Sequence, residues 1–254
     1  MPITPGMRTL SIRELRHAAL AALLVAAHPI GAAAQSSLTG VVTILQGSVT
    51  ATRPSVPEPI PLQLRDGIFA DEWIATGENA FARILLGGKA IVTLQQRSSL
   101  QISEELATST LVVTDGRIAV AVARELTKTG ELIEIKTPTA LAASRGAVVI
   151  TGVSKGVTTF TVVRGLVDVA RIDPLSNRPI GPRVMLRAQQ EVTVPATGLL
   201  RPLPVKAGTV QRLDTEFQLG DMDALPGSVL APLPAGPTQV TGKQRARPPS
   251  KRLP

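Results

Sequence analysis

Between Gly40 and Val194 apolar and polar side chains alternate in short runs, with a period of two and no sustained helical period. The stretch "GVVTILQGSVTAT", Gly40 to Thr52, reads as two runs about Gln46-Gly47. "FARILLGGKAIVTL" alternates Ala82, Ile84 and Leu86, turns at Gly87-Gly88 and resumes with Val92 and Leu94. That is a hairpin pattern, because adjacent glycines accept the positive φ of a tight turn. Ile118, Val120 and Val122 alternate with alanines after Asp115-Gly116, and Ile133 and Ile135 alternate with Glu134 and Lys136. Phe160 and Val162, then Val167 and Val169 beyond Gly165, continue the series, which "RVMLRAQQEVTV" closes. Glycine leads an alternating run at Gly47, Gly116 and Gly165, but at unequal spacing. A fixed-period solenoid of the leucine-rich or ankyrin kind is therefore excluded, and recurring hairpins are expected. The predicted fold class is all-β, built from antiparallel hairpins.

Two stretches depart from this pattern. Thr52 to Leu64, "TRPSVPEPIPLQL", holds four prolines. Proline cannot donate to a ladder, so a central strand is forbidden and an extended connector is expected, the alternative being a recognition segment for an aromatic groove. Beyond Gly198 the alternation stops, and residues 201–254 read as a Pro-rich, basic, largely disordered tail with one short helix between 205 and 222.

The ends change the picture most. Arg8, Arg13 and Arg16 precede the apolar run Ala18 to Ala27, then come Pro29, Gly31 and Ala32-Ala33-Ala34. This order predicts a secretory signal over residues 1–34, with cleavage between Ala34 and Gln35. The apolar run is about half the length of a membrane span, so no transmembrane segment is expected after processing. The expected location is the periplasm or outside the cell, with a β domain over residues 35–200. The net charge of +8 also belongs to the ends. The totals are 27 basic and 19 acidic residues. Setting aside three arginines and one glutamate in the signal, and five basic residues in the last fourteen, leaves nineteen and eighteen. A nearly neutral body argues against a nucleic-acid partner. Lys243, Arg245, Arg247, Lys251 and Arg252 stand without an acid among them. They are the candidate contact with an anionic polymer or lipid surface.

Candidate chemistry is sparse. The chain has no cysteine and no tyrosine, and both histidines, His17 and His28, fall within the predicted signal. Most nucleophile–base pairs and histidine or cysteine metal sites are thereby lost, so no catalytic residue, cofactor or metal is predicted. Asp71-Glu72 and Glu104-Glu105 are adjacent carboxylates, and neighbours on a strand point to opposite faces, so neither pair converges by itself. A hydrolase acting on cell-wall polymer through Asp and Glu alone stays open as an alternative, as does a structural envelope protein held by its basic tail. Asp221 and Asp223 bring too few oxygen ligands for a calcium loop and read as a solvated turn. Trp73, beside Ile74 in an alternating run, is expected in the core or packed at an edge, with an exposed anchor as the alternative.

"IEIKTPTALAASRGAVVITG", Ile133 to Gly152, sets Arg145-Gly146 inside apolar sequence. Thr137-Pro138 enforces an extended entry, Ala140 to Ala143 permit close backbone approach, and Gly146 frees the turn into Ala147. The reading is a tight corner between strands. An anion site would need a following helix N-terminus, which the pattern lacks.

With these motifs in order, the chain resembles the FecR-domain family across about residues 40–195. The resemblance rests on Asp71-Glu72-Trp73-Ile74-Ala75-Thr76, Gly87-Gly88, Ile91-Val92-Thr93-Leu94, Ser99-Leu100-Gln101-Ile102 and Gly116-Arg117-Ile118. It continues through Thr137-Pro138-Thr139-Ala140, Arg145-Gly146-Ala147 and the closing Val162 to Val169, with Ala147 standing where the family usually has threonine. It implies a FecR-like twisted β-sandwich or solenoid-like module working as a protein-interaction domain, with an unidentified envelope protein as partner. In the family a cytoplasmic helical part restrains a sigma factor. Here only seventeen residues precede the apolar run, so that role is not expected.

Overall fold

The structure is a computed structural model, and it describes residues 37–195, 197–198 and 200–222. The predicted cleavage site at Ala34 and Gln35 and the tail cations Lys243, Arg245, Arg247, Lys251 and Arg252 lie outside the described residues. The alternating runs become strands almost one for one. The first part of the chain gives β1 (Leu38–Gln46), β2 (Val49–Arg53), β3 (Val56–Pro61), β4 (Gly67–Phe69), β5 (Trp73–Thr76), β6 (Phe81–Leu86), β7 (Ala90–Leu94) and β8 (Ser99–Glu105). The long β9 (Thr108–Val122) follows, then β10 (Leu132–Lys136), β11 (Ala140–Ser144), β12 (Val148–Ser154) and β13 (Val157–Arg164). The series ends with β14 (Leu166–Ile172), β15 (Pro179–Arg187), β16 (Gln190–Val194) and β17 (Leu203–Pro204). The short helix expected between 205 and 222 is α1 (Thr209–Phe217).

The 17 strands form one connected ladder that folds into two layers, joined because β9 runs through both. The first layer has the order β4-β1-β6-β7-β9-β12-β13-β16-β17, using the C-terminal half of β9. The second has the order β3-β2-β5-β8-β9-β10-β11-β14-β15, using its N-terminal half. The all-β expectation holds, and neither layer closes into a barrel. One pairing breaks the antiparallel rule: β10 runs parallel to β9, from Leu132 opposite Thr108 to Lys136 opposite Val112. A parallel pair needs a long crossover, and the chain between them supplies it by passing through the first layer.

One core lies between the layers. Ile84, Leu86, Val92, Ile118, Val120 and Phe160 from the first layer meet Ile74, Leu100, Leu111, Ile133, Ile135 and Val169 from the second, all essentially without solvent access. Each such aliphatic side chain contributes about 2 kcal/mol by burial.

The echoing glycines have a different meaning from the one their sequence suggests. Gly47, Gly116 and Gly165 do not lead hairpins; each marks a point where the chain passes between layers, from β1 to β2, within β9, and from β13 to β14. All three have positive φ (71°, 87° and 85°), and a Cβ at Gly116 or Gly165 would meet backbone at about 2.4–2.5 Å. The repeated unit is a tight corner between packed sheets, where both sterics and dihedral exclude a side chain.

Candidate interaction surface

The two outer faces of the sandwich differ. On the first layer, alternation in β9 sends Ile118, Val120 and Val122 inward and Ala119 and Ala121 outward. These alanines, with Ile91, Val148 and Ile150, form an apolar floor that α1 covers through Leu213 and Phe217, joined by Leu219 just beyond the helix. Polar groups fix the helix end: buried Arg83 and the exposed amide of Gln95 reach its last carbonyls, and Arg117 pairs with Glu216 while standing 5.3 Å over the Phe217 ring. Among the described residues no such helix covers the outer face of the second layer. One row across it runs Leu141, Lys136, Val112, Gln101, Trp73 and Thr52. Trp73 is thus on this outer face and half-buried, not in the core; its neighbour Ile74 points inward.

The layers end in four edge strands: β4 and β17 in the first, β3 and β15 in the second. Edges expose unpaired N–H and C=O groups and invite pairing with another chain, so proteins shorten them or block them with proline. Here β4 spans three residues and β17 two. The Pro-rich stretch, expected as a connector, forms β3, paired only to β2. Pro57, Pro59 and Pro61 alternate with Val56, Glu58 and Ile60, and the Leu62 N–H donates to Val49 O at 2.9 Å. Donating positions therefore face β2, and the outward positions are the prolines. The sequence rule against a central strand holds; it does not forbid an edge.

The fourth edge is long and open. β15 spans nine residues, and its last five, Arg183 to Arg187, contain no proline. The Arg187 N–H donates to Gln190 Oε1 at 2.9 Å rather than into the ladder with β14. Met185, two residues earlier, shares that outward orientation. Beside β15, a groove of about 450 Å³ opens on the outer face of the second layer, bounded by Arg124, Arg145 and Arg183 and floored partly by Leu166, Asp168 and Met185. Leu166 and Met185 are about half exposed, at 51% and 52%. None of the ion pairs among the described residues involves these three arginines.

The predicted corner at Arg145-Gly146 is present, since β11 belongs to the second layer and β12 to the first. Its glycine is required for a reason other than the one read from sequence. Gly146 has no positive φ; a Cβ there would stand 2.7 Å from the Arg124 Cβ, so contact, not dihedral freedom, demands glycine. Thr137 and Thr139 close the other end of β11: both are bonded to the buried Thr158 hydroxyl at 2.8 Å, and Thr139 also donates to Val194 O.

The paired carboxylates do not assemble a reactive site. Glu72 is buried and accepts from Arg53 Nε at 2.5 Å and the Phe69 N–H at 3.0 Å, whereas Asp71 is exposed. Glu104 and Glu105 are exposed at the end of β8. Among the described residues no group of three or more His, Cys, Asp or Glu could hold a metal ion. Asp221 falls in a 3₁₀ turn, Leu219–Met222, and Asp223 lies outside the described residues.

Residues 72–168 match the family model described as FecR protein, so the resemblance read from the motifs is borne out over the span from β5 into β14. No curated protein matches the chain. Among solved structures, two crystal structures of a candidate anti-sigma factor from Parabacteroides distasonis are similar at 16% and 15% identity, with TM-scores of 0.46 and 0.45. They cover 56% and 55% of this chain, which spans 63% and 62% of theirs. No helix among the described residues is long and apolar enough to cross a membrane.

Proposed function

We propose that this protein is an exported, non-enzymatic binding module of the cell envelope, of the signal-sensing kind, which captures another protein by adding an extended segment of it to β15. The contrast among edges carries the reading: three are shortened or blocked by proline, and Arg183 to Leu186 is left open. Strand addition works through main-chain hydrogen bonds and needs no reactive side chain, which suits a body without histidine, cysteine or tyrosine. The FecR match supports a protein-interaction role, and the charged, apolar and small-residue order of residues 1–34 supports export.

The test is affinity capture from envelope extract with the mature chain as bait, followed by identification of the captured protein. Met185→Pro removes an outward N–H without touching the ladder to β14, so it should abolish capture while circular dichroism stays unchanged. Pro59→Val on the blocked edge should leave capture intact. Equal capture by wild type and Met185→Pro would overturn strand addition at β15.

A further inference from the structure

We infer that the groove bounded by Arg124, Arg145 and Arg183 selects a partner segment that is acidic at alternate positions and apolar between them. The inference rests on the reading of β15 as the docking edge and adds the chemistry of what docks there. Arg183 and Met185 belong both to that edge and to the groove wall. Side chains of an added strand alternate between faces, so every second one lies on the same outer face as these two.

The charge of the groove sets the occupant. Three arginines without ion-pair partners line the groove, with Asp168 its one lining acid. Arginine's planar fork favours carboxylate, and an unpaired arginine cluster gains most from an incoming acid. Leu166 and Met185, half exposed in the same groove, offer contact area for an aliphatic side chain. The chain's own ends are the wrong sign: residues 1–34 carry three arginines against one acid, and the last fourteen residues carry five cations and no acid. Those basic ends do not fit the groove, and the occupant proposed, in keeping with the reading of β15, is a segment of another protein.

The experiment uses the mature full-length chain and a fluorescent synthetic peptide alternating aspartate with valine. A lysine–valine peptide and phosphatidylglycerol vesicles are the comparison probes. The aspartate peptide should bind, weaken as salt is raised, and lose about tenfold affinity with Arg145→Glu or Arg183→Glu. Both arginines are exposed, so these variants keep the fold. Amide hydrogen exchange at Met185 should slow on binding. Equal binding of the two peptides, or an Arg145→Glu, Arg183→Glu double variant that binds like wild type, overturns the inference. Arginine-dependent binding of vesicles without binding of the aspartate peptide also overturns it, in favour of a lipid surface. Envelope capture that depends on Met185 but survives the double variant keeps the docking edge and removes the acidic selection. Arginine-dependent peptide binding without any envelope capture does the reverse.

Discussion

The guanidinium of Arg83, only 4% exposed on β6, donates through Nη2 to the carbonyl oxygens of Phe217 and Gln218, each at 3.0 Å. Those carbonyls end α1 and carry the negative pole of its dipole, so a buried cation is well placed there. Residues far apart in sequence thereby join the helix to the first layer. Hydrogen bonds to a charged group are worth about 1.5–3 kcal/mol, and burial of Phe217 and Leu213 adds about 2 kcal/mol each. Arg83→Met should cost about 2 kcal/mol in urea unfolding. Amides of α1 should also exchange at a lower opening free energy than those of β9. Uniform exchange through both elements would contradict the helix as the separately released part.

Glu72 predicts a second measurable effect. Its carboxylate is 1% exposed and bonded to Arg53 and the Phe69 N–H, while Arg53 is 43% exposed and stands 5.3 Å over the Phe69 ring. Glu72→Ala strands a backbone donor and should cost about 2–3 kcal/mol. Glu72→Gln keeps an acceptor and should cost about half as much. Arg53→Ala should fall nearer the milder value, since water reaches the vacated position. Denaturant midpoints for the three variants test the order.

Local pattern made much of this legible in the sequence. Ile118, Val120 and Val122 against Ala119 and Ala121 give both faces of β9, and Gly87-Gly88 gives the β6–β7 hairpin. Three things were not legible, each because it depends on long-range order. Gly47, Gly116 and Gly165 look like hairpin leaders until the partner layer is known. The parallel pairing of β10 with β9 follows a crossover that leaves no local signal. Arg145 and Arg183 line one groove because β11, β14 and β15 are consecutive in the second layer, and Arg124 joins them from the β9–β10 connection through its packing on Gly146. The prolines of β3 could have been read as an edge, since they occupy alternate positions, 57, 59 and 61.

Export predicts a defined mature terminus. N-terminal sequencing of secreted material should begin at Gln35 or within about two residues of it. Recovery of the protein only at full length in the cytoplasm would remove the envelope setting.

The tail predicts salt-sensitive attachment. Near an anionic membrane each basic side chain contributes about 1 kcal/mol, which added salt screens. Deleting residues 241–254 removes Lys243, Arg245, Arg247, Lys251 and Arg252 and should lower binding to anionic vesicles at low salt. Equal binding with and without the tail would assign surface contact elsewhere.

The corner beside the groove gives the most discriminating pair of substitutions. A Cβ at Gly165 would stand 2.5 Å from the Gly146 carbonyl oxygen and 2.8 Å from the Ala147 Cα, both backbone atoms, and Gly165 has φ of 85°. A Cβ at Gly146 would meet the Arg124 Cβ at 2.7 Å but needs no unusual dihedral. The Arg124 Cβ is fixed to its own backbone, so either substitution forces a backbone shift, but only Gly165 adds the left-handed penalty of about 1–2 kcal/mol. Gly165→Ala should therefore destabilise by about 3 kcal/mol or more, and Gly146→Ala by about 1–2 kcal/mol less. Gly146→Ala should also shift Arg124 and weaken binding of the aspartate–valine peptide while circular dichroism shows the fold retained. The reverse order of stabilities, with Gly146→Ala the costlier, would mean that Arg124 is held rigidly and that the groove wall is part of the packed corner.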